Sequence, residues 1–311
     1  MQAIVFVIVA GILMVVAASL AFAWVMPVKR KHKIVAVTLV ACGFLTPIVI
    51  AFVDGYRSEH QANINLERAE ALFAERCKSA GEKIVRTDKD VEGIFLMKVR
   101  PLRKDAGGQY DMYDPYGDDV WGDGYIENFL RGARIPRPNA PYRYGYQFVE
   151  AIDPKDGIRY RYIGAMKVVG RQDETAPNVR ASMAKDPNHD LNIYAFGFDR
   201  VPAQGDAPRY GITYDDISTK EDRDHWIAGS SLKIVDLRSG EIIGERIGYM
   251  MDPGQGSRAG GRQPWLYAAD RACPPFLARF EKVVIQVPGH SAQTGQSYDF
   301  AEKIVAPRVE R

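Results

Sequence analysis

The sequence predicts an α+β protein: an N-terminal transmembrane helical hairpin, then a soluble domain built on a mostly antiparallel β-sheet with a few helices. Two uncharged runs flank a short basic segment, a helical pattern follows, and three pairs of β-type segments flank turn residues. We expect an anchor over residues 1–56, a stalk and amphipathic helix over 57–82, a periplasmic sheet domain over 83–290, and a polar, poorly ordered tail over 291–311.

The N-terminal hairpin is predicted from residues 4–26 and 34–53, which contain no charged residue. A helix of about 20 apolar residues crosses roughly 30 Å of hydrocarbon, so both runs are long enough to span a bilayer. Four of the five residues at 29–33 are Lys or Arg, and short basic loops stay on the cytoplasmic side. The sequence therefore predicts a two-pass protein of the bacterial inner membrane, with both termini and the large domain in the periplasm.

A cleaved signal peptide is the alternative interpretation of the first run, because residues 21–23 resemble a small-x-small cleavage site. The run lacks a basic N-terminal flank and exceeds the usual apolar length of a signal peptide, which favours a retained helix. The second run would anchor the domain in either case.

The formal charge of the domain differs from that of the whole chain. The chain has 41 basic and 39 acidic residues, and four of the basic residues lie in the loop before Asp54, the first acidic residue. This leaves 37 basic against 39 acidic residues, a formal net charge of −2. Such a balance gives no electrostatic indication of nucleic-acid binding.

The cysteines separate by position along the chain. Cys42 lies in the second apolar run, whereas Cys77 and Cys273 both belong to the outer domain. Exported proteins meet an oxidising environment, so we expect Cys77 and Cys273 to form a disulfide. Two separate buried thiols are the alternative.

Along the outer domain, residues 57–80 carry apolar residues at spacings of three and four, which predicts a helix ending near Gly81. Residues 93–100 predict a strand and residues 125–130 a short helix. A further short helix is expected over 274–280 and a last strand over 282–287.

Three hairpins are predicted from paired β-type segments around Gly-containing turns. Their expected strand pairs are residues 144–152 with 158–169, 191–201 with 209–217, and 230–236 with 241–249.

An aspartate-rich loop at residues 105–124 is the first candidate binding segment. Its composition indicates a solvated turn-rich loop, and its aromatic residues favour a recognition surface, because Trp and Tyr are enriched at interface hot spots. Calcium is a weaker alternative, since the spacing lacks the alternating ligands and closing Glu of an EF-hand. The predicted binding residues here are Asp114, Asp118, Asp119, Trp121 and Asp123.

A glycine-rich segment at residues 253–262 is the second candidate. It contains Gly-x-Gly-x-x-Ala, but later glycines and Pro264 interrupt any helix that a dinucleotide site would need. A loop that offers Arg258 and Arg262 for binding is the favoured interpretation. We expect no cofactor and no metal site.

Two further patterns leave alternatives open. His225 beside Asp224 is the only histidine in a suggestive setting, and no nucleophile motif accompanies it. A hydrolase triad assembled in space remains an alternative. Tyrosines at 142, 144, 146, 160 and 162 alternate with other residues, which predicts one aromatic sheet face, either packed under a helix or open to a ligand.

Two stretches resemble a poorly characterised group of proteobacterial envelope proteins. They are residues 71–101, with Ala-Glu-Arg-Cys-Lys-Ser-Ala-Gly-Glu-Lys-Ile and Val-Glu-Gly-Ile-Phe-Leu-Met-Lys-Val-Arg-Pro, and residues 226–270, with Ser-Leu-Lys-Ile-Val-Asp-Leu and Trp-Leu-Tyr-Ala-Ala-Asp. Such proteins are encoded near antibacterial effectors, so the resemblance implies an immunity role. It covers about a third of the chain and carries no catalytic motif.

These observations favour a binding protein over an enzyme. The expected function is capture of a protein partner at the outer face of the inner membrane, with neutralisation of an envelope-acting effector as its most specific form. A periplasmic hydrolase acting on lipid or peptidoglycan and a structural subunit of an envelope assembly are the alternatives.

Overall fold

The computed structural model describes residues 16–22, 24–25, 30–102, 109–132, 145–280, 283–286 and 293–308. The chain divides into two compact units, residues 1–67 and residues 68–311. A long helix, α1 (Arg30–Cys77), begins in the first unit and ends in the second, so it covers residues 57–77 of the helix predicted at residues 57–80.

The predicted anchor belongs to the first unit. Its second apolar run is helical within α1, and residues 30–33 of the predicted basic loop form the first turn of that helix. Residues 4–15, 23 and 26 of the first run lie outside the described residues. No helix in the part of the chain that the structure describes is long and apolar enough to cross a membrane, so the predicted transmembrane hairpin is not supported.

The second unit is α+β, as predicted, and its main element is a large, mostly antiparallel sheet. Its strands are β1 (Gly81–Ile84), β2 (Asp88–Val91), β3 (Gly93–Leu96), β4 (Phe148–Ile152), β5 (Arg159–Arg171), β6 (Asn192–Pro202), β7 (Tyr210–Asp216), β8 (Ile227–Asp236), β9 (Glu241–Met251), β10 (Ala272–Cys273), β11 (Leu277–Phe280), β12 (Val283–Gln286) and β13 (Val305–Pro307). Its helices after α1 are α2 (Asp123–Arg131), α3 (Pro177–Lys185), α4 (Lys220–Asp224), α5 (Pro264–Ala268) and α6 (Gln296–Ile304), with a 3-10 turn at Ala259–Gly261.

The main sheet runs β1-β9-β8-β7-β3-β4-β5-β6, with β10 added beside β9. Strand β3 occupies the centre and pairs in parallel with both β4 and β7, whereas the other pairs are antiparallel. A parallel pair needs a long crossover, and the chain between β3 and β4 supplies it through the aspartate-rich loop and α2. The sequence patterns gave no indication of these parallel contacts.

Two of the three predicted hairpins are confirmed and one is wrong. β4 pairs with β5, and β8 pairs with β9, as expected. β6 does not pair with β7. It pairs with β5 along its whole length, while β7 lies between β3 and β8. The turn residues after β6 mark the end of that strand, but they do not make β6 and β7 neighbours. The eleven-residue pairing with β5 determines where β6 lies.

The predicted polar tail is wrong, because residues 296–307 complete the core. Helix α6 buries Tyr298, Phe300 and Ile304, and β13 pairs in parallel with β2. Tyr298 packs against Phe129 of α2 with ring centroids 6.0 Å apart, so both helices contribute to one core cluster. The apolar residues of α6 are spaced as one helix face, in a segment too short for its periodicity to stand out.

The helix predicted at residues 274–280 is also wrong, because this segment contains β11. It pairs with β12, the strand expected at 282–287. The β-branched residues of β12 favour an extended partner over a helix. The strand predicted at 93–100 is confirmed over Gly93–Leu96, and the helix predicted at 125–130 is confirmed as α2.

The predicted disulfide is confirmed. Cys77, the last residue of α1, is bonded to Cys273 in β10, with Cα atoms 5.7 Å apart. Because β10 pairs with β9, the bond fastens the end of the helix to the main sheet.

We expect replacement of both cysteines by serine to lower the free energy of unfolding of the second unit by about 5 kcal/mol, because the bond closes a loop of 196 residues in the unfolded chain. Urea unfolding with and without reductant measures the change. Cys42→Ser is the matched control and leaves the transition unchanged, since Cys42 is the free cysteine. An unchanged midpoint in the double variant would contradict the expectation.

Candidate functional site

The aspartate-rich loop is held by a buried ion pair. Arg100 Nη1 lies 3.0 Å from Asp114 Oδ2, and the backbone N–H of Gly117 donates to the same carboxylate. The guanidinium also stacks on the Tyr214 ring, 3.9 Å from its centroid. Burial raises the pKa of Asp114, while the Arg100 charge opposes that rise. Asp114 therefore serves the loop's own structure.

A second carboxylate joins the loop to α6. Asp119 is buried and accepts backbone N–H groups from Val120, Gly295 and Ser297. A carboxylate at a helix N-terminus satisfies donors that have no partner within the helix. The loop and α6 consequently hold each other in place.

The same junction is completed by two glutamine amides. Gln293 Nε2 donates to the Pro115 and Tyr116 carbonyls, and Gln296 Nε2 donates to the Tyr116 and Asp118 carbonyls at 3.0 Å. These contacts join residues 177 to 180 positions apart in the sequence, and no local pattern indicates them.

The glycine-rich segment is organised by Asp252, a buried residue that the sequence patterns did not single out. Its carboxylate pairs with Arg262, with Nη1 2.8 Å from Oδ2, and accepts the N–H groups of Gly254 and Gly256. Gly256 has φ +76°, and an added Cβ would overlap the indole of Trp226. An Asp-Pro-Gly turn after a strand is the signal that could have identified Asp252.

Arg258 differs from Arg262 in being exposed. Its guanidinium lies over the Tyr110 ring, 3.5 Å from the centroid. Tyr110 in turn meets Trp226 edge-on, and Trp226 packs against Trp265 with centroids 5.0 Å apart. This aromatic chain connects the start of the aspartate-rich loop to α5.

A cleft of about 570 Å³ lies between the aspartate-rich loop and the α5 region. Its position brings together residues from segments that are far apart in the sequence. The described residues that line it are Gln109, Met112, Pro115, Asp118, Asp119, Val120, Trp121, Gly124, Gln263, Trp265, Leu266, Gln293 and Thr294. Seven of these residues are apolar or glycine, two of them tryptophans, and six are polar or charged, so the wall offers both apolar contact and hydrogen-bonding groups.

The predicted binding residues divide among these features. Asp118, Asp119 and Trp121 line the cleft, and the Trp121 indole N–H donates to Asp118 Oδ1 at 3.2 Å. Of the others, Asp114 and Arg262 are committed to the ion pairs described above. Asp123 begins α2 and Arg258 stacks on Tyr110, both outside the cleft lining. The binding role of the seven residues stays a prediction.

The described residues form no group of three or more His, Cys, Asp or Glu side chains that could hold a metal ion. In the aspartate-rich loop, Asp114 and Asp119 already accept hydrogen bonds from protein donors at both carboxylate oxygens. The calcium alternative therefore gains no support from these two residues.

Among the described residues, the His225 ring meets a backbone carbonyl rather than a nucleophile. His225 Nδ1 lies 3.0 Å from the Glu221 carbonyl at the end of α4, and Asp224 pairs with Lys220. Ser231 is buried in β8 and donates to Glu245 at 2.7 Å. These contacts among the described residues assign His225 a role at the end of the helix.

The sequence predicts that the alternating tyrosines either pack under a helix or stay open to a ligand. Those that the structure describes pack into or against the core. Tyr146 is buried against α2, donates to the Val305 carbonyl at 2.6 Å, and has a pKa well above its usual value because of burial. Tyr162 is also buried, with its ring edge-on to Phe198. Tyr142 and Tyr144 lie outside the described residues.

Comparison with protein-family models, with curated proteins and with solved structures found no match for this chain.

We expect Asp114→Ala to lower the free energy of unfolding by about 3–5 kcal/mol, because it leaves the Arg100 guanidinium buried without its partner. Asp111→Ala, in the same loop but exposed, is the matched control and changes stability by at most about 0.5 kcal/mol. Chemical denaturation of both variants measures the difference. Equal effects would show that the ion pair does not hold the loop.

Proposed function

We propose that this chain is a membrane-anchored binding protein whose second unit captures another protein in the periplasm. The observation that carries the proposal is the cleft between the aspartate-rich loop and α5. Its volume falls within the usual range of about 300–1,000 Å³ for binding sites, which suffices for side chains of a partner's loop.

The cleft wall is preorganised, which supports binding over a purely structural role. The Arg100–Asp114 pair fixes one side of the loop, and Asp119 fixes the other side to α6. Because these contacts already exist in the free protein, binding of a partner costs less free energy for ordering the site.

The aspartate-rich loop also offers suitable contact groups, both in the cleft wall and beside it. Trp121 is 39% exposed at the cleft, and Tyr113 in the same loop is 60% exposed. Aromatic side chains supply a large contact area at protein interfaces, and they often contribute most of the binding free energy.

Placement in the periplasm rests on the sequence and on the disulfide. The two uncharged runs around the basic segment favour a two-pass anchor with the second unit outside the cytoplasm. The Cys77–Cys273 bond is consistent with that side, since disulfides persist in oxidising compartments.

The most specific form of the proposal is an immunity protein that neutralises an envelope-acting effector. It rests on the resemblance carried by residues 71–101 and 226–270. The second of these stretches includes Trp265 and Leu266, which line the cleft. An inhibitor held at the membrane also gains effective concentration against a toxin acting there.

Reporter fusions after Arg311 test the placement. We expect an alkaline phosphatase fusion to be active, because this enzyme needs the periplasm. We expect a green fluorescent fusion to stay dark, because that reporter fluoresces only in the cytoplasm. Replacing the four basic residues at 29–33 by glutamine weakens the orientation signal and is the matched control. A bright fluorescent fusion of the unaltered chain would place the second unit in the cytoplasm and contradict the proposal.

Site-specific photo-cross-linking in the native host tests the binding surface. A benzophenone amino acid in place of Trp121 should give one discrete adduct with a second protein, because this position lies at the cleft. The same amino acid in place of Ile84, an exposed residue on β1, is the control and should give none. Identical adducts at both positions, or none at Trp121, would remove the cleft as the contact.

A further inference from the structure

Strand β6 ends the main sheet as a long edge without a neighbour among the described strands. It has eleven residues, whereas the opposite edge strand β1 has four. Edge strands are usually protected by lysines, prolines, bulges or shortness. β6 contains no lysine, and its one proline, Pro202, is its last residue.

The outward backbone groups of β6 can be assigned from its register with β5. The Ala203 N–H donates to the Arg159 carbonyl at 2.8 Å, and the register continues through Tyr160↔Pro202 and Arg161↔Val201. Hydrogen-bonded and non-hydrogen-bonded pairs alternate along an antiparallel ladder. Residues 194, 196, 198 and 200 therefore direct their N–H and C=O groups away from β5, and no described residue accepts or donates there.

Three of these residues, Tyr194, Phe196 and Phe198, place aromatic side chains on one face of the sheet. Phe196 and Phe198 pack against the core, and the face continues beyond the core to Tyr194. On β5, the cross-strand partners of Phe196 and Tyr194 are Met166 and Val168. Tyr194 is 47% exposed, Met166 42% and Val168 57%, so a face that begins inside the core remains open to water at its outer end.

The charges on this edge are already neutralised within the chain. Arg200 Nη1 lies 2.7 Å from Asp153 Oδ2, and its guanidinium stacks on the Tyr160 ring at 3.8 Å. Asp199 pairs with Lys167 of β5. An edge with paired charges, outward amides and an apolar face fits a partner with the same three properties.

We propose that two copies of this chain pair antiparallel through β6 across a two-fold axis, joining their sheets into one. An axis at Phe196 or Gly197 places the aromatic residues of one copy opposite those of the other, and no like charges face each other. A two-fold interface is self-complementary, so the neutral, aromatic edge itself supplies its partner. This surface is separate from the cleft, and the inference does not depend on the proposed function.

Sedimentation of the full chain in detergent tests the proposal. The unaltered chain should have the mass of two copies, and Tyr194→Lys should weaken their association about tenfold or more, because the change occurs twice in each dimer. Val168→Lys, on the neighbouring strand β5, should weaken it similarly, because Val168 is the cross-strand partner of Tyr194 on the same exposed face. Ile84→Lys, at a 42% exposed site on the opposite edge, is the matched control and should leave the association unchanged.

Cross-linking gives an independent measurement. Ala195→Cys in a Cys42→Ser background should form a covalent dimer with a short bismaleimide, whereas Ile84→Cys in that background should not. A single-copy mass for the unaltered chain would overturn the proposal, as would equal cross-linking at both positions. Circular dichroism reports whether each variant is folded, and if Tyr194→Lys is not, Val168→Lys decides the outcome.

Discussion

The pairing of buried carboxylates with arginines is the constraint on which the second unit depends. Among the described residues, five buried acidic side chains each contact at least one arginine: Asp114, Glu150, Asp222, Asp236 and Asp252. A buried charge without a partner costs several kcal/mol, so removing either member of a pair strongly destabilises the fold. The pairs join loops to strands and, through Arg76 and Asp222, the end of α1 to the start of α4.

These ion pairs stabilise the fold and also fix the positions of the turns and loops that they join. Hydrogen bonds from Arg209 and Arg86 hold the pKa of Asp236 far below its usual value, so that carboxylate stays ionised where β8 turns into β9. In the aspartate-rich loop, the Arg100 guanidinium beside Tyr214 fixes the backbone that forms one wall of the cleft. Burial also raises the pKa of Tyr214 to about 12, so this ring stays neutral around the charged pair.

Local features of the fold could be predicted from the sequence, and non-local ones could not. The β4–β5 and β8–β9 hairpins follow from turn residues between two neighbouring segments, and α2 follows from a short apolar pattern. The position of β6 beside β5 alone, and the parallel contacts of β3, depend on which distant strands fit together. The disulfide was predictable because the second unit contains only two cysteines.

The candidate site shows the same division. Composition identified the loop and named Asp118, Asp119 and Trp121, which line the cleft. It could not identify Trp265 as the facing wall, or Gln293 as a brace, because folding brings these residues to the loop from more than 140 positions away. Nor could it show that Asp114 is an internal structural residue, since aspartates in solvated and buried turns look alike in sequence.

The position of α6 in the chain has a consequence for how the protein is made. The core that α6 completes is built from elements synthesised earlier, including Phe129 of α2 and Ile212 of β7, which lack their full packing until α6 is made. Cys273 also precedes α6 in the chain, so both cysteines of the link to α1 are synthesised before the segment that completes the core. A chain that stalls in this interval leaves apolar core surface exposed, which makes it prone to aggregation and a substrate for chaperones.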